Sequence, residues 1–214
     1  MKKVVLACYV SLSLLCSCND NPVRPGTDNS YFPLQIGNEW RFEYPYWTPW
    51  SGDTTARVYS KIVVSKTVNG KEYFAFDNDL PFFPSDPFVK ELIGVDLDPV
   101  FVRQNEKGDI MLHVDSVEYP FLVFSETFRE GDTNLVRSKI KNADYYYATE
   151  SIDDTVETPI GRFDQCRVIL NYFPQIKGTE HRIWFAPGYG PVKIYYPELN
   201  VTYQLVKISI QQSD

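Results

Sequence analysis

"RVYSKIVVSKTVNGKEYFAFD", Arg57 to Asp77, holds two runs rich in β-branched and aromatic residues on either side of Asn69-Gly70. Asn-Gly between such runs is the strongest short-range hairpin signal, because both residues accept the positive φ of a two-residue turn. The same grammar continues along the chain. "EWRFEY" (Glu39 to Tyr44) alternates, with Trp40, Phe42 and Tyr44 on one face. "VFVRQ" and "IMLHV" flank "NEKGD", where Gly108 can take positive φ. "YPFLVFSETF", "DYYYATES", "RFDQCRVILNYF", "EHRIWFA", "PVKIYY" and "VTYQLVKISI" follow, with "IDDTVETPIG" linking the second and third of these.

No window carries a convincing helical period; "DPFVKELIGV" has room for one or two turns. The expectation is a mostly β chain of about ten strands in one curled antiparallel meander. Sheets of that size curl or close to remove their edges, so a half-barrel, barrel or roll is expected.

The start of the chain gives an address. "MKKVVLACYVSLSLLCSC" has two lysines, an apolar run from Val4 to Leu15, then small residues. The run is about half of the roughly 20 residues a spanning helix needs, and the pattern is that of a secretory signal. "Leu15-Cys16-Ser17-Cys18" resembles the lipobox of bacterial lipoproteins. That resemblance implies that Cys18 carries a diacylglycerol on sulfur and a further acyl chain, such as palmitate, on its freed amino group. Cys16 fits less well, because Leu15 would stand where a small residue is needed. Two or more chains anchor stably where one does not, since each buried methylene contributes roughly 0.8 kcal/mol.

Residues 1–17 are therefore expected to be the signal peptide. Residues 18–30, rich in Pro, Gly, Asn and Asp, form the lipidated N-terminus and a flexible tether. Residues 31–214 form one β-rich domain. Asp20, close behind the anchor, resembles the signals that sort lipoproteins between membranes. One acid does not choose a face, and the cell outer membrane is expected over the inner. Cys166 is the one thiol left in the body, so no intramolecular disulfide forms there; it reads as a small buried hydrophobe.

Charge excludes one partner class. The chain has a formal charge of -7 over 214 residues, and loss of Lys2 and Lys3 with the leader takes the body to -9. With no block of Lys and Arg, nucleic acid is not an expected partner.

Three motifs resemble those of exported bacterial lipoproteins and β-rich exported domains of unknown function. "YFPLQIGNEWRFEY" (Tyr31 to Tyr44) matches their "PLxxGNxW" opening. "ETPIGRFDQCRVIL" (Glu157 to Leu170) matches "TPxGxF", and "RIWFAPGYGPVKI" (Arg182 to Ile194) matches "WxAPxxGxV". The resemblance covers about a quarter of the chain and implies a curled β-sheet, by fold analogy akin to envelope lipoprotein carriers. It carries no catalytic residues. Pro159 and Gly161 read as a tight reversal. Pro187, Gly188, Gly190 and Pro191 read as a rigid turn with Trp184 and Val192 facing the core; the alternative is that these turns rim a ligand mouth.

Chemistry is sparse. His113 and His181 stand apart without Cys or acid at metal-ligand spacing and read as surface or hydrogen-bonded strand residues; no metal or cofactor is expected. Nucleophile and phosphate-binding motifs are missing from the sequence. The acid pairs Asp77/Asp79, Asp96/Asp98 and Asp153/Asp154 fall in expected loops and read as turn or solvated residues.

Aromatics are in excess. Tyr46, Trp47 and Trp50 lie among prolines after the first strand, and Phe82, Phe83 and Phe88 in a second Pro-rich stretch. Prolines keep these out of a sheet interior. The rings either plug an open end of the sheet or form a contact surface for a glycan, a lipid or an envelope protein. The functional expectation is a non-catalytic binding or structural module held at the membrane through the N-terminal lipid. The alternatives are a carrier with an apolar cavity for lipid or lipoprotein acyl chains, and a carboxylate-based hydrolase.

Overall fold

A computed structural model of the chain describes residues 30–45, 55–77, 101–114, 117–122, 124, 129–137, 144–172 and 180–211. Among them, twelve strands make one antiparallel sheet. They are β1 (Glu39–Pro45), β2 (Thr55–Val68), β3 (Lys71–Phe76), β4 (Phe101–Gln104), β5 (Ile110–Val114), β6 (Val117–Leu122), β7 (Thr133–Arg137), β8 (Asp144–Thr158), β9 (Gly161–Tyr172), β10 (His181–Ala186), β11 (Gly190–Tyr196) and β12 (Val201–Ser209). The order is β6-β5-β4-β3-β2-β1-β12-β11-β10-β9-β8-β7.

Apart from β6 and β7, each strand therefore pairs with its chain neighbours, and the first also pairs with the last, Glu39 opposite Ser209 and Trp40 opposite Ile208. This is the cyclic order of an up-and-down barrel with one seam, between β6 and β7. These two approach each other without pairing, while β8 reaches across to β11 and β12, which are not its sheet neighbours. The sheet is curled and not closed.

Turn chemistry enforces the meander. Asn69 (φ 52°) and Gly70 (φ 75°) make the expected tight hairpin, and Gly108 takes φ 84° in the next. There the Asn105 side-chain oxygen accepts from the backbone N–H groups of Lys107 and Asp109, each at 2.9 Å. One expectation needs correction. "IDDTVETPIG" is not a linker: β8 runs unbroken to Thr158, and Pro159 and Ile160 make the reversal. Register shifts between Thr149 and Val156, with Gln165 at φ 58° on β9, let an acidic run lie in strand without strict alternation. The curled antiparallel meander is the expected one; β7, a five-residue edge strand, has little alternation in its sequence.

The inner face is filled. Phe32, Trp40, Phe42, Ile62, Val102, Ile110, Leu122, Ile169, Ile183, Phe185, Val192, Ile194 and Leu205 belong to one core, and each has 0% exposure. Val192 faces this core as expected, but Trp184 does not. It lies half-buried between Ile183 and Phe185 on their strand, so pleating turns it to the outer face. There its Nε1 donates to Asp154 at 2.7 Å and Lys193 sits over its ring. Cys166 is buried, and desolvation pushes its thiol up to about 12, consistent with an inert core residue.

One end of the curl is plugged by the three motifs singled out in the sequence. Phe32 stacks on Trp40 (5.7 Å) and packs on Phe76 and Phe185 (6.1 Å each). Trp40 Nε1 donates to the Tyr189 carbonyl at 2.6 Å, and Phe163 meets Tyr189 edge-on. Asn38, fully buried, donates to the Pro33 carbonyl and accepts from Gln211 N–H. Ser30, the first described residue, is fastened to the plug. Ser30 accepts from Gly188 N–H through its carbonyl and from Gln104 Nε2 through its hydroxyl.

Candidate functional site

In an up-and-down meander alternate connections lie at the same end. The plug occupies the end where β2 turns into β3 and β10 into β11. The opposite end is where β1 stops at Pro45, β2 starts, β10 starts and β11 stops. The first aromatic segment of the sequence is thus attached there, whereas Phe76, which precedes the second in the chain, packs on Phe32 and Trp40 at the plug. Tyr46, Trp47, Trp50, Phe82, Phe83 and Phe88 themselves lie outside the described residues, as do Cys18, residues 19–29 of the tether and "DPFVKELIGV".

On the inner face at that end, the strand alternation that builds the core continues into a different set of side chains. Tyr44 follows Trp40 and Phe42 on β1. Tyr196 follows Ile194 on β11, and Asn171 follows Ile169 on β9. On β10 His181 precedes Ile183. Tyr203 on β12 lies opposite Ile194. The result is a row across five strands. Ring centres are 4.3 Å apart for Tyr44–Tyr203, 5.7 Å for Tyr203–Tyr196 and 5.1 Å for Tyr196–His181, the last pair stacked. The row ends in a contact of 3.2 Å between His181 Nε2 and Asn171 Nδ2, so the imidazole nitrogen accepts. Tyr147 of β8 pairs with Asn171 across the strands, and Thr149 stands two residues on. Burial pushes the Tyr147 phenol well up, with Asp109 adding to the shift.

Tyr44, Tyr196 and Tyr203 are half-buried, while His181, Asn171 and Thr149 are buried. Asn171 Oδ1 and Thr149 Oγ1 have no hydrogen-bond partner among the described residues. Unsatisfied buried acceptors are uncommon and cost about 1–3 kcal/mol each. The row contains no carboxylate, Lys or Arg.

His181 is the hydrogen-bonded strand histidine the sequence suggested. No local pattern announces the row, because its members are single alternating positions on strands brought together by pairing.

Of the acid pairs, Asp77, Asp153 and Asp154 are described. Asp153 and Asp154 lie within β8 rather than in a loop. Asp154 receives the Trp184 indole, and Asp77 Oδ1 accepts from Lys61 N–H at 2.8 Å. Asp79, Asp96 and Asp98 lie outside the described residues. Among the described residues, no group of three or more His, Cys, Asp or Glu is placed to hold a metal.

The outer face carries a second cluster. Glu118 of β6 accepts from Lys71 (2.8 Å), from both Nε and Nη2 of Arg103 and from the Tyr73 hydroxyl. His113 lies against Tyr73 with its Nδ1 buried and unpaired. The cluster joins β3, β4 and β6. Lys71 and Glu118 are 47 residues apart, so no local pattern announces it.

Hydrogen bonds from Arg103 first, then from Lys71 and Tyr73, hold the Glu118 carboxyl well below the usual carboxylate range against the opposing effect of burial. A depressed folded value means the stabilisation is present above the unfolded value near pH 4.3 and fades as pH falls toward the folded one. Glu118→Gln is expected to cost about 1–3 kcal/mol at pH 7. In parallel thermal melts, its deficit against the parent should shrink between pH 5 and pH 3; a constant deficit would show the charge to be irrelevant.

A shallow outer concavity of about 420 Å³ is lined by Glu39, Arg41, Glu43, Arg57, Tyr59 and neighbours. Arg57 pairs with Glu43 at 2.6 Å and Arg41 with Glu39, which is the pattern of a solvated strand face.

No family model matches the chain, and no curated protein does. Two solved structures are similar to it over most of its length. A Bacteroides fragilis protein described as exported and YmcC-like in fold is 14% identical, with a TM-score of 0.43, covering 84% of this chain and 98% of its own. A Parabacteroides distasonis protein described as a lipoprotein is 13% identical, with a TM-score of 0.41, covering 85% and 99%. Likenesses at this level carry no inference about the present chain.

Proposed function

We propose that this chain is a lipid-anchored protein of the bacterial cell envelope, placed at the outer membrane, whose β domain is a non-catalytic binding module. Signal and lipobox residues support the anchor at Cys18. The observation that carries the module reading is the packing of the inner face: the described interior is occupied by side chains from Phe32 to Leu205 rather than hollowed for an acyl chain. The neutral aromatic row then supplies the contact surface. Ser30 is fastened at the plugged end, so the anchor joins the domain there and the row lies at the opposite end, away from the point of attachment.

Native mass spectrometry of the mature protein, extracted in an amine-oxide detergent, tests this reading. The expected mass is that of Cys18 to Asp214 plus its own anchor. A further acyl species bound in stoichiometric amount would replace the module with the carrier. Cys18→Ser is expected to abolish the anchor mass and move the protein from the membrane pellet to the soluble fraction, and Cys16→Ser to leave both unchanged. Retention of Cys18→Ser in the membrane after signal removal would overturn the lipobox assignment.

A further inference from the structure

We propose that the plugged end rests on the bilayer that holds the anchor, through an aliphatic face formed by Ile36, Val63 and Val64. This rests on the lipid anchor proposed above and adds the orientation in which the domain is held, with the aromatic row pointing away from the membrane.

The three residues are 50%, 43% and 42% exposed. They are neighbours. Gly37 N–H donates to the Ile62 carbonyl at 2.8 Å, and Ile62 N–H to the Asn38 carbonyl at 2.9 Å. These bonds carry the β1–β2 pairing back past Glu39 and set Ile36 beside the valines. The register shift between Ile62 and Val64 leaves Val63 without a partner on β3, a bulge that turns both valines outward while Ile62 stays in the core. Lys61 and Lys66 flank them on β2, and Lys66 Nζ lies 3.5 Å from the centre of the half-buried Phe101 ring. Aliphatic side chains bordered by lysines suit a bilayer interface, with methyl groups among the acyl chains and ammonium groups at the phosphates.

Position selects the occupant. Ile36 belongs to the same capping segment as Ser30, and residues 19–29 between Ser30 and Cys18 span at most about 40 Å. A link of that length makes docking intramolecular, at an effective concentration of about millimolar, so a weak attraction suffices. Three aliphatic side chains fall well short of the roughly 1,000 Å² that a stable protein interface buries.

The test uses the mature lipoprotein carrying Ile36→Cys, Val63→Cys or Leu199→Cys, in vesicles of phosphatidylethanolamine and phosphatidylglycerol. Leu199, 69% exposed, is the control, in the β11–β12 turn at the opposite end. A thiol-reactive bimane reads each position alone, because Cys166 is buried and lipid blocks the Cys18 thiol. Phosphatidylcholine with a doxyl group on its acyl chain should quench bimane at positions 36 and 63 at least about threefold more strongly than at 199, since only a face lying in the interface meets acyl chains. Val64→Asp, at an exposed position the fold tolerates, puts a carboxylate into that face. It should bring quenching at position 36 down to the level at 199, with near-ultraviolet dichroism like that of the parent.

Equal quenching at all three positions, or quenching at position 36 that survives Val64→Asp, overturns the docking. So does a bimane change that grows with protein density and ignores the doxyl lipid, which would make the face a contact between copies. Flotation of the vesicles separates the two readings. Protein that fails to float removes the anchor as well; protein that floats without selective quenching keeps the anchor and loses only the docked orientation.

Discussion

Trp40→Ala is expected to unfold the domain partly or wholly at 37 °C. Trp40 has 0% exposure, stacks on Phe32, lies 6.2 Å from Phe76 and donates to the Tyr189 carbonyl. It therefore links β1, the segment before it and the β10–β11 turn. Truncating a buried Trp to Ala costs about 3–5 kcal/mol, because the plug rings are held from several strands and cannot collapse into the void. A domain of this kind has about 5–15 kcal/mol in total.

At about 2–4 °C per kcal/mol, the melting midpoint by near-ultraviolet dichroism should fall by roughly 10 °C or more. Trp40→Phe separates the two contributions. It keeps most of the ring and leaves the Tyr189 carbonyl buried without its donor, at about 1–3 kcal/mol. A midpoint within a degree or two of the parent for Trp40→Ala would show that the plug does not hold the curl.

The second large effect is expected at Gly190, where conformation and space act together. Its φ is +85°, and a Cβ there would lie 3.1 Å from Trp40 Nε1 and 3.3 Å from Phe32 Cδ2. Gly190→Ala thus combines about 1–2 kcal/mol of left-handed strain with about 1–3 kcal/mol of overpacking against two fully buried rings. Gly108 is the control. Its φ is +84°, but the nearest atom to a Cβ is the tip of Gln104 at 3.5 Å. Gly108→Ala should therefore cost only the backbone strain. Denaturant midpoints should rank parent, Gly108→Ala, Gly190→Ala in falling order. Equal losses for the two glycines would mean that φ alone matters and that the motif around Gly190 is a turn without a packing role.

The two ranked glycines mark how far local reading extends. The hairpins at Asn69-Gly70 and Gly108, and the face of β1 carrying Trp40, Phe42 and Tyr44, were legible because each depends on residues within a few positions of one another. Trp184 was misread because its face is set by pleating next to a register shift at Trp184/Phe185, which the apolar character of its neighbours conceals. β8 was split because acids in a bulged strand look like a loop. The Glu118 cluster and the Tyr44-to-Asn171 row could not be seen at all, since their members are assembled by strand pairing and no single stretch contains two of the necessary partners side by side.

Chain-local chemistry thus suffices for the strand-and-turn meander, for the isolation of Cys166 in the body and for the lipobox pattern at Cys18. Pairing decides the rest. Joining Glu39 to Ser209 is a contact between opposite ends of the domain. It forms only when burial of the whole inner face compensates the entropy of closing so long a loop, a collective quantity that no local pattern encodes. That one pairing makes the order cyclic and puts its seam between β6 and β7. It gathers three separate motifs into a plug at one end and leaves a row of tyrosines, a histidine and an asparagine at the other.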